Sequence, residues 1–486
     1  MSLARPADPA ALLEPGIFLN GGWRATGSGG AREHVDPATG NVQQSFAMAG
    51  AAEVAEAVDA ARAALPAWRR WPVDRRRALL VRLGELIRAQ AGDLATINAL
   101  EVGTPARLSY GRYTGAPTFF DYYAGWLDKA AGDSARVPGA LDLTLLEPIG
   151  VVGAILTWNH PLANIQTTVA PALAAGCCVV VKPPEQAPFA ALRFARLCAE
   201  AGVPPGVLSV LPGGPAAGDA IVRNPGVDKV AFVGGVDTAR RIQAAAAGTV
   251  KPLLLELGGK SASLVFPDAD LDRAVRFAML ITANTGQGCT IPTRMLVHEA
   301  VYDDVVERLV KAAAAVPVGD PFDPATEMGP LIDAAAHVRV LGIIDRAVAD
   351  GAGRLVLGGR ALDRPGYFVE ATIFADVDPD SELAREEIFG PVLSVMPFRD
   401  EDQAVELANA GRYGLAGYLH TRDMHRALRL ASALDAGNVG INGAGAPAGA
   451  SAPFGGVKQS GYGKVGGLAG LLEFTRVKNV LMTIEE

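Results

Sequence analysis

Cys289 is the residue whose type and setting most favour covalent chemistry. It ends the segment Gly286-Gln287-Gly288-Cys289, in which two glycines leave the thiol exposed and let a substrate approach the backbone closely. A cysteine taken alone is more often a small buried hydrophobe than a nucleophile. The polar neighbours Gln287 and Thr290 weigh against a core position, so the residues alone leave both interpretations open.

Glu256 is a second candidate because it stands among four leucines in the segment Leu253–Lys260. A carboxylate at such a strand end is costly to bury unless it is paired or its pKa is raised. A raised pKa suits a general base. The alternative is a salt bridge with Lys260, and the sequence does not decide between them.

Asn159 follows the first strand of a predicted α/β region, where ligand-binding loops lie. Its side-chain amide could donate to a developing oxyanion. An asparagine before a turn is also common for purely structural reasons, so this signal is weak when taken alone.

Lys182 and Glu185 follow the second strand and are separated by two prolines that stiffen the turn. An acidic residue there can accept from both ribose hydroxyls of an adenosine, which favours NAD over NADP. The alternative is a solvated surface pair. Gly234-Gly235 ends a later strand and precedes a helix, a position suited to a pyrophosphate.

Short apolar runs separated by helix-length gaps predict parallel strands with crossover helices. The runs are Gly150–Leu156, Val179–Val181, Val207–Leu211, Val230–Val233 and Leu253–Leu257, and the helical gaps include Pro188–Ala201 and Asp237–Ala247. The dinucleotide pattern at Gly461–Gly466 is interpreted as a chance match, because no strand precedes it and glycines rather than a helix follow.

A second α/β stretch is predicted from about residue 260 to 455. Its elements are a helix at Leu271–Thr282, a strand at Met295–His298, a helix at Tyr302–Ala315 and a strand at Val392–Pro397. Nearer the start, a helix over 51–65 is predicted to end before Pro66. The chain is thus predicted to be α/β, with two doubly wound domains and a cleft between them.

Two segments fit neither domain. Residues 134–148 resemble a hairpin with a Pro-Gly turn, and Asn479–Ile484 resembles an isolated strand. Since an unpaired apolar edge strand is a liability unless another chain covers it, we predict an oligomerisation arm. The predicted division is 1–130 with 149–257 for cofactor binding, 258–456 for catalysis, and 131–148 with 470–486 for the arm.

Composition excludes several classes of function. The 486 residues carry a formal net charge of -8, which argues against nucleic acid or an anionic membrane as a partner. No apolar run reaches the roughly 18 residues needed to span a bilayer, and the start lacks a secretory pattern, so a cytoplasmic protein is expected. The four cysteines lack the paired spacing of a zinc site, and no metal is predicted.

Several motifs in order resemble the NAD(P)-dependent aldehyde dehydrogenase superfamily from about residue 15 to 482. They are Trp158-Asn159, Lys182-x-x-Glu185, Leu255–Lys260, Gly286-Gln287-x-Cys289, Glu387–Pro391 and Pro453–Gly456. The resemblance implies NAD-dependent oxidation of an aldehyde, with NADP less favoured, by an enzyme whose arm pairs subunits into a homodimer or homotetramer.

The resemblance also implies a role for each position. Cys289 would attack the aldehyde, Asn159 would hold the oxyanion, and Glu256 would activate the water that hydrolyses a thioester. The implied cofactor residues are Trp158, Lys182, Glu185, Gly214, Gly234, Gly235, Leu257, Glu387 and Phe389. The implied substrate-pocket residues are His160, Thr290, Ala446 and Phe454.

The chain departs from the family pattern in four places. Gly235 stands where a serine is usual, and Thr168 stands where a Lys or Arg is common. Glu256 and Cys289 are 33 positions apart, one fewer than in much of the family, which suggests a deletion between them. The loop Gly443–Ala452 is built of small residues where relatives often carry aromatics.

The small-residue loop favours a bulky or hydrophobic substrate, such as a terpenoid or aromatic aldehyde. One alternative is a CoA-acylating semialdehyde dehydrogenase, although that branch usually lacks the base that Glu256 would supply. Another alternative, from a different class, is a catalytically silent structural or binding protein on the same scaffold.

Overall fold

The computed structural model describes residues 3–114, 119–445 and 449–484. In chain order its strands are β1 (Ile17–Leu19), β2 (Gly22–Arg24), β3 (Ala31–Val35), β4 (Val42–Ala47), β5 (Ser134–Val137), β6 (Ala140–Pro148), β7 (Val151–Ile155), β8 (Cys178–Lys182), β9 (Leu208–Val210), β10 (Lys229–Val233), β11 (Leu253–Glu256), β12 (Ala262–Val265), β13 (Arg294–His298), β14 (Arg354–Leu357), β15 (Thr372–Ala375), β16 (Val392–Phe398), β17 (Tyr413–Gly414), β18 (Ala416–His420), β19 (Asn438–Ile441), β20 (Val457–Lys458), β21 (Gly461–Tyr462) and β22 (Thr475–Thr483).

The helices occupy most of the gaps between strands. They are α1 (Ala51–Trp68), α2 (Val73–Ala89), α3 (Ala91–Val102), α4 (Ala106–Thr114), α5 (Phe119–Ala124), α6 (Pro161–Ala175), α7 (Phe189–Ala201), α8 (Pro215–Arg223), α9 (Val236–Ala246), α10 (Leu271–Ala278), α11 (Tyr302–Ala314), α12 (Ala334–Ala349), α13 (Glu382–Arg385), α14 (Glu401–Asn409), α15 (Met424–Ala433) and α16 (Gly467–Leu472).

The first sheet confirms the predicted doubly wound topology. Its strands lie in the order β2-β1-β9-β8-β7-β10-β11-β21, and β9-β8-β7-β10-β11 are parallel. These five strands form because fully buried parallel strands are near-continuous apolar runs. The chain moves outward on one side of β7 and then returns to β10 on the other side. Ligands bind at such a switch point, beyond the carboxyl ends of the strands.

The second sheet has the order β14-β15-β16-β13-β12-β18-β19. β14 is antiparallel to β15, and all the other neighbouring strands of this sheet are parallel to each other. The segments Gly286–Ile291 and Glu387–Phe389 come shortly before β13 and β16. They therefore lie at the amino ends of this sheet. The boundaries assigned to the two domains stay a prediction.

A separate antiparallel sheet has the order β22-β6-β5. The expected hairpin is present, because β5 and β6 pair around Pro138-Gly139. The prediction of an isolated strand at Asn479–Ile484 is wrong in both extent and pairing. The strand found there, β22, spans Thr475–Thr483 and pairs with β6 along its whole length. Its partner lies more than 300 positions earlier, which local pattern cannot reveal.

Three other local expectations are corrected. Pro66 lies inside α1, whose last turn is anchored by buried Trp68 through an indole N–H donated to the Cys177 carbonyl at 3.0 Å. The helix predicted at Leu271–Thr282 ends at Ala278 and continues as a kinked 3₁₀ segment, Met279–Gly286. In Gly461–Gly466 a short strand does form and α16 follows it. A Cβ on Gly461 would lie 1.9 Å from the Leu255 carbonyl oxygen, so this glycine allows β21 to approach β11.

Within the described ranges, none of the helices has the length and apolar character needed to cross a bilayer.

Candidate active site

One cavity of about 790 Å³ collects most of the predicted site residues. From the first sheet it is lined by the segment after β7, by the glycines after β10 and by the end of β11. From the second it is lined by the segments that precede β13 and β16, and by Tyr418 of β18. Cys289, Glu256 and Asn159 all lie in its wall, so the 33-position spacing does not separate base from nucleophile.

Cys289 is the one cysteine of the four that is not fully buried. Burial, together with the carboxylates of Glu387 and Glu256, raises the pKa of its thiol to about 12. The free protein therefore holds this group as the thiol at neutral pH. It becomes a strong nucleophile only when a proton is removed.

The loop before Cys289 is held by its own side chains. A Cβ on Gly286 would lie 2.0 Å from the Gly390 carbonyl oxygen, so this glycine permits close packing of the chain rather than approach of a substrate. Gln287 is fully buried; its side-chain oxygen accepts from the Ile332 N–H at 2.9 Å, and its amide donates to the Asn284 carbonyl at 3.1 Å. The polar neighbour noted in the sequence is thus a fixed support for the loop.

Asn159 is buried directly after β7 and contacts the same loop. Its Nδ2 donates to the Gln287 carbonyl at 3.2 Å. Asn284 Nδ2 donates to that carbonyl at 3.1 Å and to the Asn159 carbonyl at 2.9 Å. The bond to Gln287 uses one of the two N–H groups of the Asn159 amide, which leaves the second for a ligand.

Glu256 ends β11 and is 6% exposed. Neither carboxylate oxygen has a hydrogen-bond partner among the described residues. Burial raises the pKa of Glu256 well above its usual value, and Lys464 opposes part of that rise. The salt bridge with Lys260 is not found in the part of the chain that the structure describes, where the Lys260 amine has no hydrogen-bond partner.

Glu387 and Phe389 lie against the strand end that carries Glu256. The Gly259 N–H donates to Glu387 Oε1 at 2.9 Å, and burial raises the pKa of Glu387 to about 7. A Cβ on Gly258 would lie 2.2 Å from Glu387 Oε2, so only glycine allows this approach. Phe389 has a positive φ of 51° and meets Trp158 edge-on, with ring centroids 5.3 Å apart. Such backbone strain in a non-glycine residue is typical of functional sites.

The glycines after β10 leave space at a helix end. Gly235 is the N-cap of α9 and supplies no side-chain hydrogen bond. A Cβ there would meet nothing within 4 Å. The first N–H groups of α9 are therefore open to an anion, and the arrangement fits the pyrophosphate of a dinucleotide. Leu257 lines the same cavity.

Lys182, Glu185 and Gly214 form a second group, which does not line this cavity. Lys182 Nζ lies 3.6 Å from Glu185 Oε2 and donates to the Gly213 carbonyl at 2.6 Å. Lys182 is only 6% exposed, which contradicts a fully solvated surface pair. Arg32, which belongs to no motif, lies 3.8 Å from Glu185 Oε1.

His160, Thr290 and Phe454 line the cavity as expected. Ala446 lies outside the described residues, as does the middle of the loop Gly443–Ala452. Several further residues of the cavity wall were not predicted from the sequence, among them Arg112, Leu280, Ile291 and Tyr418. None of the four belongs to a motif, and only tertiary structure brings them here.

Comparisons with known proteins agree with this geometry. The model of the aldehyde dehydrogenase family matches residues 23–480. The chain is 42% identical to human retinal dehydrogenase 2 over 478 residues, which cover 97% of this chain and 92% of that protein. It is also similar to the NAD+ complex of an aldehyde dehydrogenase from Bacillus cereus, with a TM-score of 0.96 and 38% identity over 99% of this chain and 100% of that one. The structure of an NADP-dependent enzyme from E. coli is similar as well, with a TM-score of 0.95 and 36% identity over 98% of this chain and 100% of that one.

Proposed function

Because the chain belongs to the aldehyde dehydrogenase family and is an NAD-dependent oxidoreductase of aldehydes, we propose that it oxidises a bulky aldehyde through an acyl intermediate on Cys289. The observation that carries this proposal is the meeting of Cys289, Asn159 and Glu256 in one cavity wall. The product is the carboxylic acid.

Cys289 acts in the first step as the thiolate, which forms when the thiol proton passes to solvent water. Its sulfur attacks the aldehyde carbon, so a C–S bond forms and the carbonyl oxygen becomes an oxyanion. The second N–H of the Asn159 amide and the backbone N–H of Cys289 donate to that oxyanion. The bond from Asn159 to Gln287 holds the amide in place before the charge develops.

The residues present fit NAD, since a helix end without a side-chain cap, an open glycine and partly buried carboxylates stand where its parts would lie. Gly234 and Gly235 would hold the pyrophosphate, Lys182 and Glu185 the adenosine ribose, and Glu387 the nicotinamide ribose. The remaining contacts with the cofactor would come from Trp158, Leu257 and Phe389 in the cavity and from Gly214 in the group around Lys182. Bound NAD supplies the acceptor for the hydride that leaves the aldehyde carbon.

Glu256 acts in the second step as the general base. Its carboxylate takes a proton from water, the resulting hydroxide attacks the thioester carbon, and the Cys289 thiolate leaves. A carboxylate whose pKa is raised by burial is a stronger base than an exposed one, which suits this task. The unpartnered oxygens are free to bind that water. Water, rather than CoA, is therefore the acyl acceptor, and product should form without added CoA.

The substrate body is aromatic or terpenoid. Leu280, Ile291, Tyr418 and Phe454 give the substrate side of the cavity apolar walls, which favour an apolar body over a small polar one. A relative at 42% identity is named for retinal, a long apolar aldehyde.

The test is an aldehyde panel run with NAD and NADP in parallel. We expect kcat/KM to rise from acetaldehyde to benzaldehyde and citral, with NAD the better acceptor. A maximum for the two-carbon aldehyde would contradict the proposed substrate class, and the absence of NADH with every aldehyde would contradict the proposed reaction.

A further inference from the structure

We propose that Arg112 forms an anion subsite in the cavity wall, and that the preferred substrate is a bulky aldehyde with a carboxylate remote from the aldehyde carbon. The inference rests on the proposed function, because it names the substrate of that same site. It adds one requirement, an anionic group, to the bulky apolar body already proposed.

Arg112 is the only cation among the described residues that line the cavity. It lies on α4, is exposed at the solvent edge, and shares the wall with Cys289. The acidic residues of that wall are Glu256 and Glu387, which have proposed roles in catalysis and cofactor binding. A positive charge in the wall of the same cavity is therefore available to a ligand.

The guanidinium of Arg112 has no carboxylate partner in the described ranges of the chain. Among the described residues, the guanidinium forms one hydrogen bond, to His160. The segment that follows α4, residues 115–118, has the sequence Gly-Ala-Pro-Thr and adds no acidic side chain. Arg107 on the same helix behaves differently, since it pairs with Glu327 at 2.7 Å.

His160 holds Arg112 without neutralising it. Arg112 Nη1 donates to His160 Nδ1 at 3.3 Å. A guanidinium can only donate, so Nδ1 carries no proton in this contact and the ring proton is on Nε2. Burial and the Arg112 charge lower the pKa of His160 to about 3, so the imidazole stays neutral throughout the physiological range. His160 is thus a positioning residue for the guanidinium.

An unpaired guanidinium presents a rigid fork of N–H groups that matches a carboxylate in two parallel hydrogen bonds. A wholly apolar aldehyde that filled the cavity would strip water from this group and offer no replacement. A carboxylate at the far end of the substrate replaces that water. The apolar walls contributed by Leu280, Ile291 and Tyr418 suit the spacer between the two ends.

The experiment compares 4-carboxybenzaldehyde with its methyl ester, which has a similar shape and no charge. The ratio of the two kcat/KM values is measured for the wild type, Arg112→Gln, Arg112→Lys and the matched control Arg107→Gln. We expect the wild type to prefer the carboxylate by about tenfold or more, as one charge-assisted contact allows. Arg112→Gln should lose that preference, mostly through KM, whereas Arg112→Lys should keep part of it and Arg107→Gln all of it.

Binding of terephthalate, followed by calorimetry, gives a readout independent of turnover. Arg112→Gln should weaken it by about tenfold, and Arg107→Gln should not. Equal kcat/KM for acid and ester in the wild type would overturn the anion subsite and leave the proposed function standing. Failure to oxidise either aldehyde would instead contradict the proposed function. The wild-type ratio decides the question even if Arg112→Gln does not fold.

Discussion

The side-chain amide of Asn159 donates to the backbone carbonyl of Gln287, two residues before Cys289, at 3.2 Å. This bond joins the segment after β7 to the loop that carries the thiol. Asn284 Nδ2 donates to the same carbonyl at 3.1 Å. Two amides therefore share one acceptor, but only Asn159 is proposed to reach the oxyanion.

Asn159→Ala should lower kcat by about 10²- to 10³-fold, the usual loss for one oxyanion donor. KM should change little, because the lost contact forms only as charge develops. The matched control is Asn284→Ala, which removes the bonds that this amide donates to the Asn159 and Gln287 carbonyls and the bond that it accepts from the Thr104 hydroxyl. It should lower the melting temperature more than Asn159→Ala does. Equal losses of kcat in the two variants would argue that Asn159 acts only through loop structure.

Alkylation of Cys289 by iodoacetamide should accelerate about tenfold per pH unit up to pH 10, since its pKa is raised to about 12 and only the thiolate reacts. Mass spectrometry of the free enzyme measures the rate at one site, because the other three cysteines are buried. Glu256→Gln removes a neighbouring carboxylate and should speed labelling at a given alkaline pH. A rate that levels off below pH 9 would show that the thiol pKa is not raised.

Glu185→Gln should shift the cofactor preference towards NADP. The substitution leaves Lys182 and Arg32, which lie 3.6 and 3.8 Å from the Glu185 carboxylate, without their anion. A 2′-phosphate can then replace that anion. We expect the NADP/NAD ratio of kcat/KM to rise about tenfold, within the range for a charge-assisted contact. The control is Glu33→Gln, the same change on an exposed neighbour of Arg32, which should leave the ratio unaltered. If Glu185→Gln also left the ratio unaltered, the assignment of Glu185 to the adenosine ribose would be refuted.

The double substitution Val477→Lys with Leu481→Lys should reduce the oligomer mass measured by light scattering. These side chains are 67% and 64% exposed and lie on one face of β22, in the proposed arm. Two lysines there would be desolvated on assembly. The control is Val338→Lys with Val348→Lys on α12, which adds the same charge to exposed positions outside the arm. A wild-type protein that is monomeric would contradict the arm's proposed role.

The first sheet could be predicted closely from the sequence. Val179–Val181 was expected and Cys178–Lys182 was found, because a strand buried on both faces needs apolar residues throughout. The end of α1 could not be predicted in this way. Pro66 usually ends a helix, and here the packing of Trp68 keeps the last turn in place.

The site residues that belong to sequence motifs could be predicted, and the other residues of the cavity wall could not. Whether Glu256 pairs with Lys260 depends on side-chain direction, which the four-residue spacing left open. Arg112 carries no local signal at all. Its position in the cavity depends on the packing of α4 against α3 and α2 and on its contact with His160, just before α6. Its lack of a carboxylate partner among the described residues is likewise set by tertiary structure.

Mass spectrometry of the Glu256→Gln variant, intact and after digestion, detects the covalent acyl intermediate that is proposed on Cys289. After mixing with NAD and benzaldehyde, we expect one equivalent of NADH, slow further turnover, and a benzoyl adduct on the peptide that contains Cys289. Cys289→Ser should show no adduct at that peptide. Rapid steady-state turnover with an unmodified Cys289 peptide would contradict a covalent intermediate on Cys289.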